Sequence, residues 1–264
     1  MSRPYVQAVP CTPDYVLEVI RDSYRHQVQY DPEAEPGVEL SFDSTVSDWR
    51  NACDLLRGKP LGRALGMEWG FQATNEAWRQ VLEPPRQKRL ADVCTFIANR
   101  ATRPVARPSK LLGSACQSGG TFLAIREALQ AAGANIEGLR PSSPLQALLN
   151  KYPGVFLGPV SRLAPNRLPP VQLSSARRSF FALTFLGFFV AAFVMGFLGL
   201  TAALLLSLCL ALASFGLFVR APIDFEFPGV QTFRDLVERM LGEAGQENAM
   251  RNPAYGAGSQ IRLP

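Results

Sequence analysis

The chain has 264 residues and a formal net charge of +5, enough for one or two modest domains. Its basic residues gather around one apolar block rather than in a patch interleaved with aromatics, which argues against nucleic acid as a partner. Five cysteines without a C-x-x-C pair, and His26 as the only histidine, argue against a disulfide framework or a metal site.

The elements follow in chain order. Residues 1–11 read as an N-terminal arm. They lack an apolar h-region, which predicts no signal peptide and an N-terminal part made in the cytosol. Thr12 or Asp14 can cap a helix through about Tyr30, with Tyr15, Val16, Val19, Ile20 and Tyr24 forming its apolar stripe. A loop follows from Asp31 to Val38, and its Glu33 and Glu35 look solvated. After Leu40 to Val46, a helical pattern runs with interruption from Asp48 through Met67. Asn75 caps a helix carrying Trp78, Val81 and Leu82, stopped by Pro84-Pro85. A last helix from about Arg89 to Ala101 buries Leu90, Val93, Cys94 and Ile97. Residues 12–102 thus form a first cytoplasmic helical unit, and 103–114 a linker. Trp49, Trp69 and Trp78 read as core or groove residues and as a candidate protein-interaction surface, not as a cofactor box.

The next stretch repeats the first in style. Phe122 to Leu129 matches Val16 to Ser23, and Leu139 to Leu145 echoes Leu40 to Val46. The counterpart of Arg89 to Ile97 comes only after the apolar block, at Thr232 to Met240. This pattern predicts a divergent duplication. Residues 115–176 begin the second unit, a hairpin is inserted at 177–220, and 221–242 return to complete the fold. Residues 243–264 read as a disordered tail, in which Tyr255 and Ile261-Arg262-Leu263 are candidates for a short peptide ligand.

Between the repeats, residues 179–219 hold 41 positions without charge or proline. A span needs about 20 apolar residues, so the block predicts two transmembrane helices, 179–197 and 200–219. Gly196 and Gly199 supply the turn. The flanking Arg177, Arg178 and Arg220 predict a bacterial inner-membrane protein with both termini cytoplasmic. Small residues Gly187, Ala191, Ala203, Ser207 and Ala211 suit close helix packing, within one hairpin or between copies.

Each cytoplasmic unit resembles acyl-carrier-like helical domains. The resemblance rests on a long helix, a loop ending in Ser44-Thr45-Val46 or Ser143-Pro144-Leu145, and a final helix opening at Arg89 to Val93 or Thr232 to Val237. It covers about 12–102 and, with the insertion, 117–165 plus 228–242. The family's carrier serine would fall in Asn51-Ala52-Cys53-Asp54-Leu55 and near Leu149-Asn150-Lys151-Tyr152. Neither stretch holds it, so carrier chemistry is not implied. The whole chain is also similar to uncharacterised bacterial two-span membrane proteins.

Little in the sequence points to catalysis. Arg57-Gly58-Lys59-Pro60-Leu61-Gly62 lacks phosphate-loop spacing, and Pro60 removes a backbone donor. Ser118-Gly119-Gly120-Thr121 reads as helix capping before it reads as an anion site. His26 has no spacing that pairs it with Cys53 or Cys94. The expected fold is all-α, with small helical bundle units and a two-helix transmembrane hairpin. The expected role is a non-enzymatic, membrane-anchored protein-interaction module without cofactor or metal. Its expected partners are the lipid bilayer, a cytoplasmic protein and, as a homo-oligomer, its own copies. Two alternatives are an oligomeric membrane-perturbing or pore-forming protein and a thiol-dependent enzyme built on Cys53.

Overall fold

A computed structural model describes residues 5–111, 114–174, 176–197, 201–220 and 224–250. The chain divides into two compact units: a body, Met1–Val171 with Phe227–Pro264, and a hairpin unit, Gln172–Glu226.

The body begins with β1 (Val6–Pro10), followed by α1 (Pro13–Gln27). Thr12 caps α1 by accepting the Tyr15 N–H at 3.3 Å, and Pro13 at the first turn costs no hydrogen bond. α2 (Val46–Ala52) starts in a capping box between Thr45 and Asp48. α3 (Lys59–Trp69) ends at Gly70, which sits in the left-handed region with φ +70°. α4 (Asn75–Leu82) is capped by Thr74 and stops before Pro84-Pro85. α5 (Leu90–Ala98) packs against α1, and Val16, Val46, Leu90, Val93, Cys94 and Ile97 are fully buried between the helices.

The second half of the body follows β2 (Thr102–Ala106) and a short hairpin of β3 (Ser109–Leu111) and β4 (Ser114–Cys116). It contains α6 (Gln117–Ala131), α7 (Gln146–Lys151) and the single turn α8 (Pro153–Val155). A π turn at Phe156–Val160 and a 3-10 turn at Ser161–Leu163 lead toward the hairpin unit.

The hairpin unit holds β5 (Gln172–Ser174), α9 (Ala176–Phe197), α10 (Thr201–Arg220) and β6 (Asp224–Glu226). The body then closes with α11 (Phe233–Met250), which kinks at Gly242. Helix therefore continues through Met250 where a disordered tail is expected. The candidate peptide ligands at Tyr255 and Ile261-Arg262-Leu263 lie outside the described residues.

The two halves of the body share a hydrogen-bond pattern. In the first, Val46 N–H donates to Lys88 O at 2.8 Å, Leu90 N–H to Ser44 O at 2.9 Å and Ala91 N–H to Phe42 O at 3.1 Å. In the second, Leu145 N–H donates to Gln231 O at 2.9 Å, Phe233 N–H to Ser143 O at 3.3 Å and Arg234 N–H to Pro141 O at 2.7 Å. Each set encloses one isolated bridge, Thr45 to Arg89 and Pro144 to Thr232. An aspartate caps the closing helix in both: Asp92 accepts the Arg89 N–H, and Asp235 the Thr232 N–H. These are the segments that match in sequence.

Two expectations are corrected. The fold is not all-α: 56% of it is helical and 11% is strand, in several small sheets. β1 pairs antiparallel with β2, so part of the expected arm and part of the expected linker are partners, Val6 opposite Ala106 and Pro10 opposite Thr102. Pro104 is tolerated because a two-stranded ribbon has only edge strands. β3 pairs with β4, and β5 with β6. Strands of three to five residues carry too little alternation to read locally.

The second correction concerns the membrane. Among the described residues, no helix is long and apolar enough to cross one. The transmembrane spans, the inner-membrane placement and the cytoplasmic orientation drawn from them are overturned on that finding. α9 and α10 instead pack on each other as a hairpin. Phe185, early in α9, lies 5.6 Å from Phe215, late in α10, so the arms run antiparallel.

Candidate functional site

In the hairpin unit, Ala192, Ala211 and Ser214 are buried, while large apolar side chains point outward. Ala211 thus serves packing, as its size allows, whereas an added Cβ at Gly187 would meet nothing within 4 Å. Ala191 and Ser207 are half-buried. Gly196 falls inside α9, and Gly199 lies outside the described residues, as do the side-chain placements of Arg177, Arg178, Ala203 and Arg220. The outward face includes Leu183, Leu186, Phe189, Phe193 and Phe197 on α9, and Leu206, Leu208, Leu210, Leu212 and Phe215 on α10.

The three tryptophans are core residues: Trp49, Trp69 and Trp78 are buried. Trp78 stands 4.7 Å from Phe96 and 5.6 Å from Phe71, ring centre to ring centre. Trp69 meets Tyr15 edge-on at 6.3 Å and carries the Arg162 guanidinium over its face at 4.6 Å. Neighbouring side chains cover these rings, and their apolar area stabilises the first half of the body.

The thiols divide by environment. Burial pushes Cys53 and Cys94 up to about 12, so almost no thiolate forms at neutral pH. Cys53, the residue nearest the carrier-serine frame, is therefore a poor nucleophile. Cys116 differs. It caps α6, accepting the Gly119 N–H at 3.3 Å, and hydrogen bonds from Ser118 and then Gly119 hold its thiol below the usual range. The Ser118 to Thr121 segment thus forms a helix start with a cysteine cap, and the buried Gly120 lies too close to the Arg107 carbonyl for any side chain. Among the described residues, no cluster of His, Cys, Asp and Glu could hold a metal ion.

A buried polar network joins the two halves. Asp22 and His26 lie on α1, with 1% and 2% exposure. Asp22 accepts from the Ser161 hydroxyl and from Arg25, whose guanidinium also donates to Leu168 O at 2.5 Å. His26 Nδ1 accepts the Val171 N–H at 3.1 Å, which places the proton on Nε2, 3.5 Å from Asp22. The ring edge packs on Phe227 at 6.0 Å. Nothing in the sequence couples His26 to Val171, 145 positions away.

Burial holds His26 below its ordinary value of about 6.5, and Arg25 adds to this against the opposing pull of Asp22. The unfolded chain then binds more protons than the folded one just below that value, so stability rises with pH there. The expected result is a urea midpoint that falls as pH drops from about 6.5 toward 5.5, with a flatter profile in His26→Gln. An unchanged midpoint over that range, or equal slopes in both proteins, would remove His26 from this role.

A cleft of about 960 Å³ runs from the end of α2 past the start of α3 to the far end of α4. Its walls include Arg50, Arg57, Arg79 and Lys88 against Glu76 and Glu83. Arg79 pairs with Glu76 at 3.0 Å. Gly58, with φ +59°, opens α3 without a side-chain cap. The Arg57 to Gly62 segment, which lacks phosphate-loop spacing, therefore sits at this cleft. Its last glycine, Gly62, seats the Trp78 indole, because a Cβ there would lie 2.6 Å from the ring. Arg50 and Lys88 carry no local signal in sequence, because only the fold brings them beside Arg57.

No family model, curated protein or solved structure matches the chain.

Proposed function

We propose that the chain is a non-enzymatic interaction module held at a lipid surface by its apolar hairpin. The observation that carries this reading is the distribution of exposed large apolar residues: among the described residues, twelve lie on the hairpin and four on the body. Proteins in water rarely expose a contiguous apolar patch beyond a few hundred Å², and covering one Leu or Phe is worth roughly 1.5–3 kcal/mol. On α10, Leu206 and Leu210 stand on one side while Leu208, Leu212 and Phe215 stand on another. One docked protein would cover one side; a lipid phase covers both.

The test is flotation of the full chain with neutral phosphatidylcholine vesicles. The wild type is expected to float, and the Leu186→Glu, Phe193→Glu double variant to remain largely in the aqueous fraction. A wild-type chain that stays monodisperse in detergent-free buffer beside the vesicles would refute the reading.

A membrane-perturbing oligomer is the second reading, supported by the open face at Gly187, where a second helix can approach closely. Cross-linking on the same vesicles separates the two, since a monomer argues against a pore. The matched hydrogen-bond sets support reading the body as a divergent duplication that carries the hairpin as an insertion in its second copy.

A further inference from the structure

We propose that the basic cleft of the body binds a small phosphorylated molecule, with the phosphate held between Arg50, Arg57 and Lys88 at the start of α3. Three independent features converge. The first is charge: four cations face two carboxylates in the cleft, and the Arg79–Glu76 pair neutralises one of each. The side chains of Arg50, Arg57 and Lys88 have no hydrogen bond or ion pair among the described residues. Three unpaired cations around one concavity repel each other, and an anion relieves that repulsion.

The second is the buried Arg50 Nε, which finds no acceptor in the protein. Buried N–H groups are satisfied in the great majority of cases, and a guanidinium presents its donors as a fork suited to phosphate. The third is the helix end. α3 has 11 residues, and Gly58 offers no side chain to cap it. Pro60 removes one donor there and the Glu83 carboxylate stands beside Gly58, so the helix dipole adds to the pull of the three cations through the remaining N–H groups.

The cleft also decides the size of the ligand. Its volume of about 960 Å³ exceeds what phosphate needs and lies within the range of small-molecule sites. Leu61, Leu82, Pro84 and Pro85 give it an apolar wall for the rest of the molecule. Glu76 and Glu83 disfavour a ligand that is anionic throughout, which weighs against nucleic acid and acidic peptide.

The experiment is calorimetric titration of the full chain, kept in neutral mild detergent, with phenyl phosphate as the probe, which carries one phosphate and an apolar remainder. Saturable binding is expected, weakened about tenfold or more in Arg57→Gln and in Lys88→Gln, both of which leave circular dichroism unchanged. Arg86→Gln, on a neighbouring residue outside the cleft, should retain wild-type affinity. Arg50→Lys tests the fork: it keeps the charge and should still lose affinity. The proposal is overturned by an absence of binding, by equal loss in Arg86→Gln, or by a phosphate-free glutamate peptide that binds as tightly. Because the titration involves no vesicle, its outcome is independent of the lipid reading.

Discussion

Phe233→Ala is expected to destabilise the body by about 3–5 kcal/mol. Phe233 is fully buried at the start of α11. Its ring meets Phe122 of α6 edge-on at 6.1 Å and Phe156 of the π turn at 6.3 Å. Alanine would leave a cavity between these three elements, beside the Phe233 N–H to Ser143 O bond that ties α11 to the loop before α7. A domain holds only about 5–15 kcal/mol in total, so the loss is severe.

The measurement is urea unfolding followed through tryptophan fluorescence. All three tryptophans lie in the first half of the body, far along the chain from Phe233. With an m-value of about 1–3 kcal/mol/M, the midpoint should fall by at least about 1 M. A tryptophan transition that stays in place while the overall helix signal shifts would mean that the halves unfold separately, contrary to the buried network between them.

Asp22→Ala is expected to cost a similar amount, about 3–5 kcal/mol. The cost arises less from losing an attraction than from stranding its partners. Ser161 would keep a buried hydroxyl without an acceptor, and Arg25 would keep only its bond to Leu168 O. Ser161→Ala removes one neutral donor and should cost about 1 kcal/mol. Asp22→Asn retains an acceptor oxygen for Ser161 and should fall between the two. Thermal unfolding of the three variants gives the order, and Asp22→Ala no worse than Ser161→Ala would show that the carboxylate is not the keystone of the network.

Much of the body is legible in the sequence because its signals are local. Thr12 marks the start of α1 as expected, whereas Thr74 and not Asn75 caps α4, and Thr45 opens α2 ahead of Asp48. Leu139 to Leu145 and Thr232 to Met240 resemble Leu40 to Val46 and Arg89 to Ile97, and the backbone joins each pair by the same hydrogen bonds. The tryptophans show the limit of such reading. Aromatic residues at helical spacing say that a face is apolar, not whether it is covered, and here it is covered by Phe71, Phe96 and Tyr15.

The apolar block shows a different limit. Forty-one uncharged positions dictated two helices and a reversal, since hydropathy and glycine act locally. They did not establish a membrane crossing, which the described residues do not support.

By itself, then, the amino-acid order determined the helices, their caps and stops, the matched segments and the apolar hairpin, because each depends on neighbours within a turn or two. Only the tertiary structure decided the rest. The β1–β2 ribbon joins residues nearly a hundred positions apart, and the Asp22–His26–Ser161–Val171 network joins residues still further apart. The basic cleft gathers Arg50, Arg57 and Lys88 from separate elements. Hydrogen bonds and charge act over a few ångströms of space, and sequence distance does not report that separation until the chain has folded.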